Sequence, residues 1–117
     1  MKKVFPVGEG FPVPDGTIVH AIVGVGTTED VSVALGEIPP GVTSKIHVHP
    51  QVSQVTWVLS GDLTIKMKDA SVLTPYQLHV TPEESVLTKP GTFFQLVNTG
   101  KERCRVLYIV TPAFLFE

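Results

Sequence analysis

Residues 41–61 read GVTSKIHVHPQVSQVTWVLSG. Gly41 is followed after five residues by His47, with His49 two positions on, Gln54 five further and Gly61 seven beyond that. In a β-strand a spacing of two puts both imidazoles on one face. By that parity Thr43, Lys45, His47 and His49 share a face of a strand over 42–49, and Gln54, Thr56 and Val58 share a face of the next, over 52–59. The second strand ends where Ser60-Gly61-Asp62 makes a tight turn.

Outward from this stretch the chain reads as all-β. Its ten Pro and ten Gly punctuate it at the spacing of a sandwich or barrel, and no amphipathic helical segment of useful length interrupts them. Further strands are expected over 17–25, 31–38, 63–68, 77–81, 85–88, 93–98 and 103–110. In 63–68 Leu63, Ile65 and Met67 alternate with Thr64, Lys66 and Lys68, which gives one wet face. Thr81-Pro82-Glu83-Glu84 resembles a helix start, but Pro90 would stop that helix within two turns, so a β-turn is expected. Residues 1–16 are rich in Pro and Gly and read as an extended arm anchored by Phe5 and Phe11, ahead of a single domain over 17–117. Val55, Trp57 and Leu59 are apolar on the face opposite Gln54, and 106–110 is apolar on both faces. The second face needs cover from the arm, from the tail over 113–116, or from another subunit, and a homodimer is the expectation.

A length of 117 residues suits one core. The net charge of −2 supplies no basic patch for nucleic acid, and the apolar runs are too short to span a bilayer. No apolar stretch follows the two N-terminal lysines, so no secretory signal is read and a cytoplasmic location is expected. Cys104 is the one cysteine and reads as a buried thiol. Gly24-Val25-Gly26 lacks the third Gly and the helix of a dinucleotide fingerprint, and no organic cofactor is expected.

The spacing of Gly41, His47, His49, Gln54 and Gly61 resembles the first signature of the cupin superfamily, with Gln54 at the position of a metal-binding Glu. The second signature can be laid on 83–98: Gly91 and Asn98 match, Glu83 replaces a Gly, Lys89 a Pro, and Phe94 the third metal-binding His. Lys89-Pro90-Gly91-Thr92 still reads as a type II turn. The resemblance covers about half the chain and implies a double-stranded β-helix, the jelly-roll barrel, with the two imidazoles pointing into its lumen.

It also implies a small-molecule enzyme of the lyase, isomerase or dioxygenase sort, with His47 and His49 as its catalytic centre and Lys45, Gln54, Thr56 and Phe94 as ligand contacts. In the metal reading His47, His49 and Gln54 hold a divalent Fe, Ni, Mn, Zn or Cu ion, though all three donors are neutral. In the metal-free reading one histidine moves protons near neutral pH. The alternative class is a non-catalytic binding or sensing cupin with an eroded metal site. Lys45 would meet an anionic group or reach back to solvent, and Phe94 would floor an apolar pocket or fill the core. His20 reads as a hydrogen-bonded structural residue, His79 as solvent-facing, and Glu83-Glu84 as a solvated turn.

Overall fold

Period-2 alternation carries most of the chain into strands in a computed structural model that describes residues 2–115. The strands are β1 Gly10–Pro12, β2 Ile18–Val23, β3 Ser32–Ile38, β4 His47–Val48, β5 Ser53–Ser60, β6 Leu63–Lys68, β7 Tyr76–Val80, β8 Ser85–Thr88, β9 Phe93–Val97 and β10 Cys104–Thr111. They form a six-stranded sheet ordered β1-β2-β3-β10-β5-β8 and a four-stranded sheet ordered β4-β9-β6-β7. Every pairing is antiparallel. No helix occurs among the described residues.

The inward residues follow the alternation. Leu63, Ile65 and Met67 of β6 and Val106, Tyr108 and Val110 of β10 point between the sheets, as do Gln54, Thr56 and Val58 of β5 and Phe94 and Leu96 of β9. Ile38, Val58, Leu63 and Val106 are wholly buried, and the Cys104 thiol lies among them. Burial pushes that thiol up to about 11, which leaves it protonated and inert. This is the expected jelly-roll arrangement.

Four turns carry the chain between the sheets with a positive φ: Gly41 at 77°, Gly61 at 80°, Glu83 at 71° and Gly91 at 83°. At Gly61 a side chain would also come within 2.9 Å of the Arg103 carbonyl oxygen. The glycine spacing read from the sequence is therefore the spacing of left-handed turns. The turn at Thr81 is closed by Glu84 N donating to Thr81 O, with Thr81 N and Oγ1 donating back to the Glu84 carboxylate.

Two expectations are corrected, and one open alternative is narrowed. The strand over 42–49 shrinks to His47–Val48. Before it the backbone pairing is reduced to a Thr43–Val97 bridge and the bonds Ser44 N to Leu96 O and Asn98 N to Val42 O, and side chains take other backbone groups: Asp15 Oδ2 accepts from Lys45 N, Gln95 Nε2 donates to Ser44 O, and Ser44 Oγ accepts from Leu96 N. Period-2 parity fails there, so Thr43 and Lys45 are exposed and Ser44 is buried. Within 1–16 the buried anchor is Val13, while Phe11 is exposed, and 10–12 pairs with β2 as a strand. Finally, the described part of the tail, 113–115, does not cover the outer face of β5. Phe114 is tied to Ser32, whose Oγ donates to Phe114 O and accepts from Phe114 N, and Ala113 N donates to Glu29 O. Phe116 lies outside the described residues. Trp57, Leu59 and Leu87 consequently stand exposed on one outer face.

Candidate small-molecule site

His47 and His49 flank one turn of extended backbone at the open end of the sandwich. β4 places His47 directly opposite Phe94 on β9, and this cross-strand pair stacks, with ring centroids 5.3 Å apart. His49 tilts against the same Phe94 ring at 5.6 Å, and Phe114 meets His49 edge-on at 4.5 Å. The His49 position is held by Gly91 N donating to His49 O. Both imidazoles are half-buried, and neither makes a protein hydrogen bond among the described residues.

These rings form one wall of a cavity of about 70 Å³. Gln54, Ser44 and Thr17 supply its other polar groups, while Val13, Val19, Leu96 and Tyr108 make it mainly apolar. Tyr108 can lean against this wall because β3 carries Gly36 beneath it: a Cβ there would lie 2.6 Å from the Tyr108 hydroxyl. Burial raises the Tyr108 phenol far above its ordinary range. A second, more open cavity of about 300 Å³ adjoins the first and is bordered by Lys45, Ile46, Val48 and Leu115. The two cavities share His47, His49 and Phe114.

Burial lowers the pKa of His47, helped by the nearby Lys45 and His49 charges and opposed by Asp15. Burial lowers that of His49 as well. Both imidazoles are therefore neutral at pH 7, with lone pairs for a proton or a ligand. His20 behaves oppositely: its bond to Glu37 (2.8 Å) and another to Gly8 O raise its pKa, and it lies away from the cavity. His79 is solvent-exposed.

Of the residues picked out in the sequence, His47, His49, Gln54 and Phe94 meet at the cavity. Thr56 stands behind the wall and acts on Gln54, accepting a hydrogen bond from its Nε2 at 2.9 Å. Lys45 borders the outer cavity, not the inner one. Sequence reasoning missed Tyr108, Phe114, Ser44 and Val13 as wall residues. Tyr108 had a usable signal, a polar aromatic on the inward parity of an aliphatic strand. Phe114 and Val13 had none, because irregular chain brings them in.

The donor set does not fit a four-ligand metal centre. Among the described residues no three of His, Cys, Asp and Glu come together to hold an ion. With metal–nitrogen bonds of about 2.0–2.1 Å, two imidazoles in neighbouring coordination positions have centroids about 4.5–5.2 Å apart. Those of His47 and His49 are 6.3 Å apart. Phe94 occupies the space against both rings that a third imidazole would need, and Gln54 brings no charge.

The family profile described as "Cupin domain" matches residues 34–110. No curated protein matches significantly. Among solved structures, KdgF from Halomonas sp. superposes with a TM-score of 0.80 at 14% identity, covering 97% of this chain and 96% of that one. The cupin domain of Drosophila melanogaster CENP-C superposes with a TM-score of 0.78 at 10% identity, covering 88% and 70%. An oxalate oxidase gives 0.73 at 23%, covering 86% of this chain, which spans about half (53%) of that one. At these identities the superpositions speak for the fold alone. The profile match over two-thirds of the sequence, on a jelly roll whose four signature turns all take a left-handed residue, places this chain in the cupin family.

Proposed function

We propose that this cupin binds one small molecule between His47, His49 and Gln54, and moves a proton on it as a lyase or isomerase. The observation that carries the reading is a pair of half-buried imidazoles, neutral at pH 7 and without hydrogen-bond partners among the described residues, facing a small, mainly apolar cavity. A neutral imidazole beside a carbon acid accepts its proton; the electron pair moves to the adjoining carbonyl oxygen, where the second imidazole can present its N–H. Returning the proton to another carbon isomerises the molecule, and expelling a neighbouring group makes the reaction a lyase. Of the three reaction types considered, the dioxygenase alone needs a redox metal, and the neutral, splayed donor set supports it least.

A second reading, binding without turnover, is supported by the absence, among the described residues, of a carboxylate hydrogen-bonded to either imidazole to orient it as a base. Phe94 against both rings suits a stacking floor equally well. The exposed Trp57, Leu59 and Leu87, left uncovered by the described residues, support the homodimer through that face.

Site-resolved NMR of the histidine rings against a panel of small oxo and hydroxy compounds tests both readings. The expected result is a set of ligands that shift the His47 and His49 resonances and leave His79 unmoved. A panel that moves neither ring contradicts both.

A further inference from the structure

The site has two adjoining compartments that share the same three rings. The inner one is small and mainly apolar, floored by Phe94. The outer one is about four times larger and opens past Lys45, the single formally charged side chain on its wall among the described residues. His47, His49 and Phe114 belong to both walls, so a molecule spanning the two compartments lies against the imidazoles at its middle.

Lys45 is fixed at this mouth through its backbone. Asp15 Oδ2 accepts its N–H at 2.9 Å, while Asp15 Oδ1 accepts from Thr17 N and Thr17 Oγ1. The Asp15 carboxylate is thus engaged by backbone and hydroxyl donors, and the Lys45 ammonium makes no salt bridge among the described residues. Among the described residues no acidic side chain lines either cavity.

We propose that the ligand is a short monocarboxylate, with its carboxylate in the outer compartment at Lys45 and its uncharged end past Phe114 in the inner cavity. This rests on the small-molecule reading above and adds charge and orientation to it. A single flexible ammonium matches one negative charge better than two. The inner cavity then admits a chain of a few atoms and disfavours a second negative charge, since its wall is mainly apolar and its described residues include no Lys or Arg to pair with one. In this arrangement the carbon next to the carboxylate lies between the two imidazoles, and Phe114 sets which chain lengths pass.

The test pairs two probes of equal size, 2-oxobutanoate and 2-oxobutanamide, with affinities measured by NMR titration on the wild type and on Lys45→Met. Lys45 is exposed, and its side chain holds no part of the fold together. The wild type is expected to prefer the carboxylate by about fivefold, the scale of a partly screened ion pair. The preference should shrink with added salt and vanish in Lys45→Met, which keeps its affinity for the amide. Phe114→Ala should shift the preference toward longer 2-oxo carboxylates. Equal binding of both probes by the wild type overturns the inference and leaves the small-molecule reading standing, as does a preference that survives in Lys45→Met. Failure of both probes to bind overturns the inference too, and the wider panel then judges the small-molecule reading separately.

Discussion

Glu83 holds a φ of 71° where the family signature has glycine. The conformation is fixed by Glu83 N donating to Val58 O and Val58 N donating to Glu84 O, so the turn keeps its shape and the side chain carries the strain. Left-handed backbone costs a residue with a Cβ roughly 1–2 kcal/mol. Glu83→Gly should therefore raise stability by about 1 kcal/mol after glycine's greater unfolded freedom is offset, as read from the urea midpoint; a loss would contradict this account of the turn. Phe94 allows a similar test of the missing metal ligand. Phe94→His should raise Zn or Ni affinity at least about tenfold by adding an imidazole between His47 and His49, measured by calorimetry. No gain would mean that ring placement, and not ligand number, limits the site. The histidines also give a pH signature. Folding lowers the His47 and His49 pKa values, so their stability contribution is full above the unfolded value of about 6.5 and drains as pH falls through the folded values, because the unfolded chain takes up protons first. His20 is raised by its bond to Glu37, so its contribution is full below that unfolded value and fades as pH rises through the folded one. A ring titration should place His47 and His49 below 6.5 and His20 above it. Midpoints for His47 and His49 at or above 6.5 would contradict the neutral-pair account.

At the scale of elements, Asn98 pins three segments together. Its Nδ2 donates to Ile38 O at the end of β3 and to Glu102 O before β10, its Oδ1 accepts from Gly100 N, and its backbone joins Val42 and Gly41. It is almost wholly buried. Asn98→Ala would leave buried carbonyls without donors and should cost about 2–3 kcal/mol, read by chemical denaturation; a cost under 1 kcal/mol would show that the segments hold without it. Elements of this kind explain what the sequence made legible. Strands β5, β6, β9 and β10 were readable because alternation and paired ladders obey one period, while the resemblance to the cupin signatures implied the inward positions of Gln54 and Phe94. The stretch over 42–46 was not, because beyond the Thr43–Val97 bridge Asp15, Ser44 and Gln95 supply side-chain bonds, and nothing in local spacing announces a partner thirty or fifty residues away. Lys45 consequently moved from the lumen to the rim. The same limit hid Phe114 and Val13, which reach the cavity from irregular chain. Gly36 was unreadable for another reason: its need to be glycine comes from the Tyr108 ring on the neighbouring strand. Gly36→Ala should cost about 1–3 kcal/mol by overpacking and should shrink the cavity by displacing Tyr108.

At the scale of the molecule, the six-stranded sheet closes one side of the cavity and the four-stranded sheet carries the histidines and Phe94 on the other. The site therefore depends on the sheets staying packed, while its mouth depends on segments outside the main strands. The outer face of the six-stranded sheet presents Trp57, Leu59 and Leu87 to solvent. If a second copy covers them, light scattering should give twice the 12.7 kDa chain mass, and Trp57→Glu should shift the molecule toward monomer. A monomeric wild type would contradict the dimer. Whether the neutral imidazole pair does chemistry is the central question, and solvent-deuterium incorporation into small oxo compounds answers it most directly. Wild-type protein in heavy water should exchange the proton next to the carbonyl of at least one compound that binds, faster than buffer alone, and the His47→Ala, His49→Ala double variant should not. Binding without exchange above buffer for every compound, or exchange that persists in the double variant, would contradict the account.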